Sequence, residues 1–157
     1  MRDYPHDVAK TPQSWASSEG TRRSMQANRG RDTSPELAIR RRAHAVGLRY
    51  RVCVRPLPGL RRTADLVFTR AKVAVFVDGC FWHGCEQHHT VAKTNAEFWA
   101  KKVQANRGRD LQTDAALTAA GWTVVRIWEH EDPDHAVDRI RAAVTDARIS
   151  ASRTAGA

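Results

Sequence analysis

The spacing of apolar residues along the chain predicts seven elements, in the order helix, three strands, helix, strand, helix. The first helix is expected to start at Thr33, because Pro35 suits a first turn and Glu36 completes a capping box with the threonine. This helix is expected to end at Gly47. The first strand follows as an alternation of apolar Leu48, Tyr50, Val52 and Val54 with Arg49, Arg51 and Cys53.

Shorter apolar runs predict the other strands. Residues 64–68 (ADLVF) form the second strand and residues 72–77 (KVAVFV) the third, whose nearly continuous apolar character is typical of a central strand. A loop rich in cysteine and histidine comes next, and a helix is expected over residues 95–120 with a break near Gly108. Residues 122–128 (WTVVRIW) predict the fourth strand.

The connections between these elements indicate an α/β fold. The first three strands can form an antiparallel meander, whereas the fourth, which is reached through a helix, can join the sheet in parallel. The predicted fold class is therefore a mixed four-stranded sheet flanked by helices. Asp132 and Pro133 start the closing helix, and its apolar face consists of Ala136, Val137, Ile140 and Val144.

Length and composition bound the domain. The 157 residues are enough for one domain and too few for two ordinary ones. Residues 1–20 and 149–157 lack periodicity and are expected to be disordered tails, which leaves a single domain at residues 21–148. No apolar run approaches the roughly 20 residues of a membrane span, and the polar N-terminus does not resemble a secretory signal. We therefore expect a cytoplasmic protein without a membrane partner.

The net charge of +9 is unevenly distributed. Between Arg22 and Arg62 the chain has twelve arginines but only two acidic residues, Asp32 and Glu36. A basic block of this kind attracts phosphate backbones and gives salt-sensitive affinity that does not depend on base sequence. Charge thus favours a nucleic-acid partner, although a solvated arginine-rich surface would have the same composition.

The segment Cys80-Phe-Trp-His-Gly-Cys85-Glu-Gln-His88 has the spacing of three metal ligands. Zinc favours four cysteine or histidine ligands in a closed tetrahedral site, so a fourth residue has to come from elsewhere. His130 is the best candidate, because a fourth strand parallel to the third would bring its end beside Cys80. His89 competes with His88 for the third position, and buried cysteines beside surface histidines would give the same pattern without a metal.

The residues around this motif resemble the very-short-patch-repair (Vsr) endonucleases, whose fold is restriction-endonuclease-like. The resemblance covers about residues 22 to 131 and agrees with the predicted order of elements. It rests on collinear segments at residues 23–25 (RSM), 33–36 (TSPE), 61–65 (RRTAD), 77–85 (VDGCFWHGC), 93–95 (KTN), 98–99 (FW), 121–122 (GW) and 128–129 (WE).

The resemblance implies catalytic roles for Asp65, His83, Asp110, Glu36 and Asp78, and magnesium binding for Asp65 and Val77. Asp65 matches an aspartate that holds Mg²⁺ at the scissile phosphate, and the backbone carbonyl of Val77 matches a further magnesium contact. His83 matches a histidine suited to activating the attacking water, and Asp110 matches the acidic partner that orients it. Glu36 matches a helix glutamate near the active site, although a capping role would explain it equally well.

Asp78 stands where some family members have a second catalytic histidine. A carboxylate cannot donate a hydrogen bond to phosphate as imidazolium can, but it can add a metal ligand.

The resemblance also implies a structural zinc site and a DNA wedge. A wedge of apolar side chains beside a mismatch costs a few kcal/mol of unstacking, and least at a weak base pair. The zinc positions are Cys80, Cys85, His88 and His130, and the wedge positions are Met25, Phe81 and Trp82.

The expected function is magnesium-dependent nicking of duplex DNA 5′ to the thymine of a T:G mismatch. Family analogy favours a monomer, and mismatch-repair proteins are further candidate partners. Two alternatives stay open: a restriction-type or mobile-element nuclease that acts on matched DNA, and a non-catalytic zinc-containing module that binds DNA. Asp65, His83 and Asp110 together argue against the last, because a binding module needs no buried acid opposite a histidine.

Overall fold

The computed structural model describes residues 31–88 and 95–155. The predicted order of helices and strands is confirmed within these residues, with one short helix added in the segment expected to be a loop. The elements are helix α1 (Ser34–Ala45), strands β1 (Arg51–Val54), β2 (Ala64–Phe68) and β3 (Val73–Asp78), helices α2 (Cys80–His83) and α3 (Ala96–Ala119), strand β4 (Thr123–Trp128) and helix α4 (Pro133–Ala155).

The four strands form one mixed sheet in the order β1-β2-β3-β4. The first three strands pair antiparallel, whereas β4 pairs parallel with β3 over six residues, from Val73 opposite Thr123 to Asp78 opposite Trp128. The predicted meander with a parallel fourth strand is therefore confirmed. Since β3 and β4 end side by side, the segments that follow them meet at the same edge of the sheet.

Both faces of the sheet are covered by helices, as the buried strands require. Alternate residues of β3 serve the two faces: Val73 and Val75 belong to the larger cluster under α1 and α4, and Ala74 and Phe76 to a smaller cluster under α3. The apolar face predicted for the closing helix is buried at all four positions, Ala136, Val137, Ile140 and Val144.

Three boundaries differ from the sequence expectations. Strand β1 begins at Arg51 rather than at Leu48. Helix α3 continues through Gly108 without a break, because a single glycine weakens a helix of this length without ending it. Helix α4 runs to Ala155 through part of the expected C-terminal tail, since residues 149–155 contain neither glycine nor proline.

Some expectations lie outside the described residues. These are the tail at residues 1–20, the wedge residue Met25 and the alternative zinc ligand His89. Of the helices that are described, none has the length and apolar character needed to span a membrane.

Candidate functional site

Asp65 lies near the start of β2 and is linked to β3 by a hydrogen bond. The Val77 amide donates to Asp65 Oδ2 at 2.7 Å. Burial is the main reason that the pKa of Asp65 is raised to about 6; the Val77 amide lowers it, whereas the charges of Glu36 and Asp78 raise it. A divalent cation would relieve this crowding of negative charge, so the donor set around Asp65 fits a metal that prefers oxygen ligands.

Glu36 is buried in the first turn of α1, at 6% exposure. Its carboxylate accepts hydrogen bonds from the Asp32 amide at 2.8 Å, from the Thr33 hydroxyl at 3.0 Å and from Arg40 Nη2 at 2.9 Å. The capping box was predicted in part wrongly: the Thr33 hydroxyl donates to Glu36 and does not bond to the helix backbone. Glu36 thus stabilises the N-terminus of α1, and its negative charge also raises the pKa of Asp65.

Arg40 was not singled out from the sequence. Its side chain is buried, and it bonds Asp32 Oδ1 at 2.5 Å as well as Glu36. The signal that could have identified it is its position four residues after Glu36 on the same helix face. Arg40 is therefore the cation that offsets the buried charge of Glu36.

His83 and Asp110 are brought together as the sequence predicted. The distance between His83 Nδ1 and Asp110 Oδ2 is 2.6 Å, although 27 residues separate them along the chain. Asp78, the last residue of β3, is also near, with Oδ1 at 3.8 Å from the same nitrogen. Burial is the main cause that raises the pKa of Asp78, and the charge of Arg126 acts against it.

Arg126 of β4 is a site residue that the sequence reasoning missed. Its Nη1 donates to both carboxylate oxygens of Asp78 at 2.9 and 2.8 Å. Its Nε donates to Asp114 Oδ2 at 2.9 Å, and its Nη2 lies 2.9 Å from Asp114 Oδ1 and 3.4 Å from Asp110 Oδ1. An arginine within the apolar run WTVVRIW was the available signal, because a charged residue in a strand of this kind needs partners.

The short helix α2 carries His83 and is held at both ends by side chains from elsewhere. At its start, the Cys80 amide donates to Glu129 Oε1 at 2.6 Å. At its end, Asn106 Nδ2 donates to the Trp82 carbonyl at 2.7 Å and Arg107 Nε to the His83 carbonyl at 3.0 Å. Side chains of α3 therefore orient α2 by binding the backbone carbonyls of α2, and Asp110 of α3 orients the His83 ring.

The four predicted metal ligands form a cluster. Their ligand atoms all lie within 4.8 Å of one another. Tetrahedral zinc would separate such atoms by roughly 3.3–3.8 Å, given its usual bond lengths. Burial raises the pKa of the Cys80 thiol to about 11, so a bound cation is what would keep it as a thiolate ligand at neutral pH. The set can hold a metal ion; it consists of Cys80, Cys85, His88 and His130.

Two of the three predicted wedge residues lie in an aromatic cluster at the surface. Phe81 and Trp82 of α2 meet edge to face, with centroids 5.3 Å apart, and both are partly buried. Trp99 of α3 contacts both rings at 5.4 and 5.7 Å. Phe98 packs on Trp99 at 5.3 Å and is 38% exposed. The sequence resemblance included Phe98 and Trp99 but assigned them no role.

Seven arginines of the predicted basic block are exposed on α1, on β1 and in the segments on either side of β1. Exposed arginines suit a phosphate backbone, whose contacts fix position rather than base sequence. These residues are Arg41, Arg42, Arg49, Arg51, Arg55, Arg61 and Arg62.

Residues 17–93 match the protein family described as DNA mismatch endonuclease Vsr. The chain is 46% identical over 129 residues to the Type II nicking enzyme V.NaeI of Lentzea aerocolonigenes, covering 81% of this chain and 75% of that protein. It is 38% identical over 133 residues to the Type II nicking enzyme V.NmeDIP of Neisseria meningitidis serogroup C, covering 82% and 88%. It is 34% identical over 111 residues to the DNA mismatch endonuclease Vsr of Escherichia coli (strain K12), covering 68% and 67%. Glu36, Asp65 and His83 lie within the segment that matches the family.

Proposed function

The chain belongs to the Vsr family of DNA mismatch endonucleases, and from this premise we propose that it nicks one strand of duplex DNA 5′ to the thymine of a T:G mismatch, with magnesium as cofactor. It is a Vsr-like endonuclease that acts on DNA. The specificity for a T:G mismatch and the requirement for magnesium are what we propose in addition to this activity.

One observation carries the proposal: contacts link the candidate metal-binding aspartate to the candidate base. Asp65 bonds to the amide of Val77, Asp78 follows Val77 in β3, and the Asp78 carboxylate lies 3.8 Å from His83 Nδ1. A metal ion and a general base have to act on the same phosphate, so this adjacency at one edge of the sheet is what the reaction requires.

The oxygen donors would hold the catalytic ion. Asp65 and the backbone carbonyl of Val77 are the proposed magnesium contacts, with Asp78 and Glu36 as nearby acids. When bound, magnesium stabilises charge on the phosphate and activates water. The pKa of Asp65, raised to about 6, leaves it largely ionised above neutral pH and so available to a cation.

His83 is the proposed general base. Asp110 accepts from Nδ1 at 2.6 Å, which favours the tautomer with a proton on Nδ1 and leaves Nε2 as the nitrogen that can accept a proton from water. Asp110 would also stabilise the imidazolium that forms. Because α3 holds the carbonyls of both Trp82 and His83, the ring is carried on a fixed segment.

The aromatic pair on α2 is the proposed reader of the mismatch. Phe81 and Trp82 would enter the base stack together with Met25, and Trp99 supports both rings from behind. Unstacking costs least at a weak pair, so such a wedge favours a T:G site over a matched one.

We further propose that the cysteine and histidine cluster holds a structural zinc ion, and that the chain forms one endonuclease domain acting as a cytoplasmic monomer. Mismatch-repair proteins remain candidate partners.

A second candidate function is a restriction-type or mobile-element nuclease acting on matched DNA, which is favoured by the relatives named type II nicking enzymes. The non-catalytic zinc module is disfavoured, because it would have no use for the His83–Asp110 pair.

The test compares labelled duplexes that differ only in one T:G or C:G pair, each incubated with the protein and magnesium. We expect a single-strand nick 5′ to the mismatched thymine, and at least about a 100-fold slower rate for Asp65→Asn, which removes a metal-binding charge. Asp138→Asn is the matched control, since Asp138 is exposed on α4 and pairs with Arg141. Equal nicking of both duplexes would support the matched-DNA nuclease, and binding without nicking would support the DNA-binding module.

A further inference from the structure

His83 Nδ1 has two carboxylates within reach. Asp110 is at 2.6 Å and Asp78 is at 3.8 Å, and one N–H can make only one good hydrogen bond at a time. The orientation of the imidazole depends on which carboxylate receives that proton. A residue that decides between the two carboxylates would therefore control the direction of Nε2.

Arg126 contacts both oxygens of the Asp78 carboxylate. Its Nη1 bonds both Asp78 oxygens, at 2.9 and 2.8 Å, while its Nη2 approaches the other oxygen of Asp110 at 3.4 Å. Asp78 is 6% exposed, so water is a poor substitute for this partner. Asp110 keeps Oδ2 for the imidazole and directs Oδ1 towards Arg126.

We infer that Arg126 is a positioning residue of the nicking reaction: by binding Asp78 it leaves Asp110 as the partner of His83, and so fixes the imidazole. The inference rests on the proposed function of His83 as the base. Without Arg126, the buried Asp78 carboxylate would compete for the same Nδ1 proton.

A direct role in binding DNA phosphate fits Arg126 less well. Its Nε and both terminal nitrogens lie against carboxylates, and its Asp114 contacts hold the side opposite Asp78. The guanidinium carbon also lies 4.9 Å over the Phe76 ring. A planar fork with these partners is fixed in direction, which a lysine ammonium could not reproduce.

The experiment measures kcat and KM for nicking by Arg126→Met. We expect kcat to fall about 10- to 100-fold, the range found when a partner that orients a site residue is lost. KM for the duplex should stay within about threefold, since DNA contacts are unchanged. Arg141→Met is the matched control, because Arg141 also pairs with an aspartate but on the exposed surface of α4. An unchanged kcat, or a rise in KM alone, would overturn the inference.

A second variant keeps the test decisive if Arg126→Met is poorly folded. Arg126→Lys keeps a cation that can bind Asp78 but lacks the planar fork that also contacts Asp114, so kcat should fall by a smaller factor, about 3- to 10-fold, with KM unchanged. An Arg126→Lys variant with the kcat of the parent enzyme and a raised KM would contradict a positioning role.

A spectroscopic measurement separates this inference from the proposed function. The Nδ1 proton of His83 should give a downfield NMR signal in the parent protein that moves in Arg126→Met and lies nearer its parent position in Arg126→Lys. If the parent protein does not nick DNA but the signal behaves in this way, the proposed function fails while the assignment of Arg126 stands. A signal that Arg126→Met leaves in place would refute the assignment alone.

Discussion

Three carboxylates lie in a largely buried part of the protein, where each ionised group costs free energy unless it has a partner. Glu36 is paired with Arg40, and Asp78 is paired with Arg126. For Asp65 the structure gives a hydrogen bond from the Val77 amide, and burial raises its pKa to about 6. Among the three, Asp65 is the one for which the described part of the chain gives no ion pair, so a bound cation would offset its charge.

This imbalance predicts that Asp65→Asn stabilises the protein when magnesium is absent. The folded-state pKa of Asp65 lies above its ordinary value of 3.8, so its contribution to stability is complete below that pH and is lost as pH rises through about 6. One pKa unit corresponds to about 1.4 kcal/mol, so the substitution should raise the free energy of unfolding by about 2–3 kcal/mol at pH 7.5.

Urea unfolding at pH 4 and pH 7.5, without added magnesium, measures this effect. The gain should appear at pH 7.5 and be nearly absent at pH 4, where Asp65 is protonated in the folded state. Asp138→Asn on the exposed face of α4 should change little at either pH. A variant less stable than the parent protein at pH 7.5 would show that the ionised Asp65 carboxylate does not destabilise the folded protein.

Among the elements, α2 depends most on its neighbours. A four-residue helix is not stable by itself, because helix nucleation is unfavourable at this length. Glu129 binds its first amide, and Asn106 and Arg107 bind its last carbonyls. The orientation of His83 is thus set by α3 and the segment after β4, not by the local propensity of residues 80–83.

Two glycine substitutions test how closely α2 and α3 approach each other. Gly84 ends α2 with a φ of +65°, and an added Cβ would lie 2.7 Å from Val103 Cγ1 and close to the Arg107 guanidinium. Gly84→Ala should therefore separate the two helices, destabilise the protein by about 2 kcal/mol or more and slow nicking.

Gly108→Ala is the matched control within α3. Gly108 is helical and an added Cβ there meets nothing within 4 Å, so alanine should stabilise the helix by about 0.5–1 kcal/mol and leave nicking unchanged. Thermal unfolding and the T:G nicking assay measure both variants. Gly84→Ala with the stability and rate of the parent protein would show that the close approach has no function.

At the scale of the whole molecule, the parallel pairing of β3 with β4 assembles the site. It places the end of β3, which leads into Cys80 and His83, beside the end of β4, which leads into His130. Cys80 Sγ lies 3.0 Å from His130 Nδ1 although the two residues are 50 positions apart. A metal ion bound there would join two distant segments of the chain next to His83.

The corresponding prediction concerns metal removal. Purified protein should contain about one zinc ion per chain, and its removal by a chelator should lower the unfolding temperature by about 5–10 °C and slow nicking even with magnesium restored. Metal analysis and thermal unfolding measure this.

The cysteines provide the matched variants. Cys80→Ser should reproduce the loss of zinc, because it removes one of the four clustered ligand atoms. Cys53→Ser is the control, since Cys53 lies in β1 and contacts Arg40. Full zinc content in Cys80→Ser, or a chelated protein as stable as the untreated one, would contradict a structural zinc site.

The sequence by itself determined the order of the main elements, the mixed sheet and the metal-ligand side chains of residues 80–88. Periodicity, caps and turn residues act within a few positions, so they can be read locally. Asp65, His83, Cys80 and Cys85 could be named because they stand in short motifs that resemble one family. Asp110 and the two histidines of the cluster lie outside those motifs and were named by their match to the family's positions. Gly108 shows the limit of local signals, since α3 runs through it unbroken.

Only the tertiary structure decided which side chains meet. Arg126 and Asp78 are 48 positions apart, and the α3 residues Asn106 and Arg107 reach α2 across more than 20 positions. No local pattern encodes such pairs. They form only when β4 lies parallel to β3 and α3 packs on the face of the sheet that carries Phe76. The partner of Asp78 and the side chains that hold α2 in place follow from that packing.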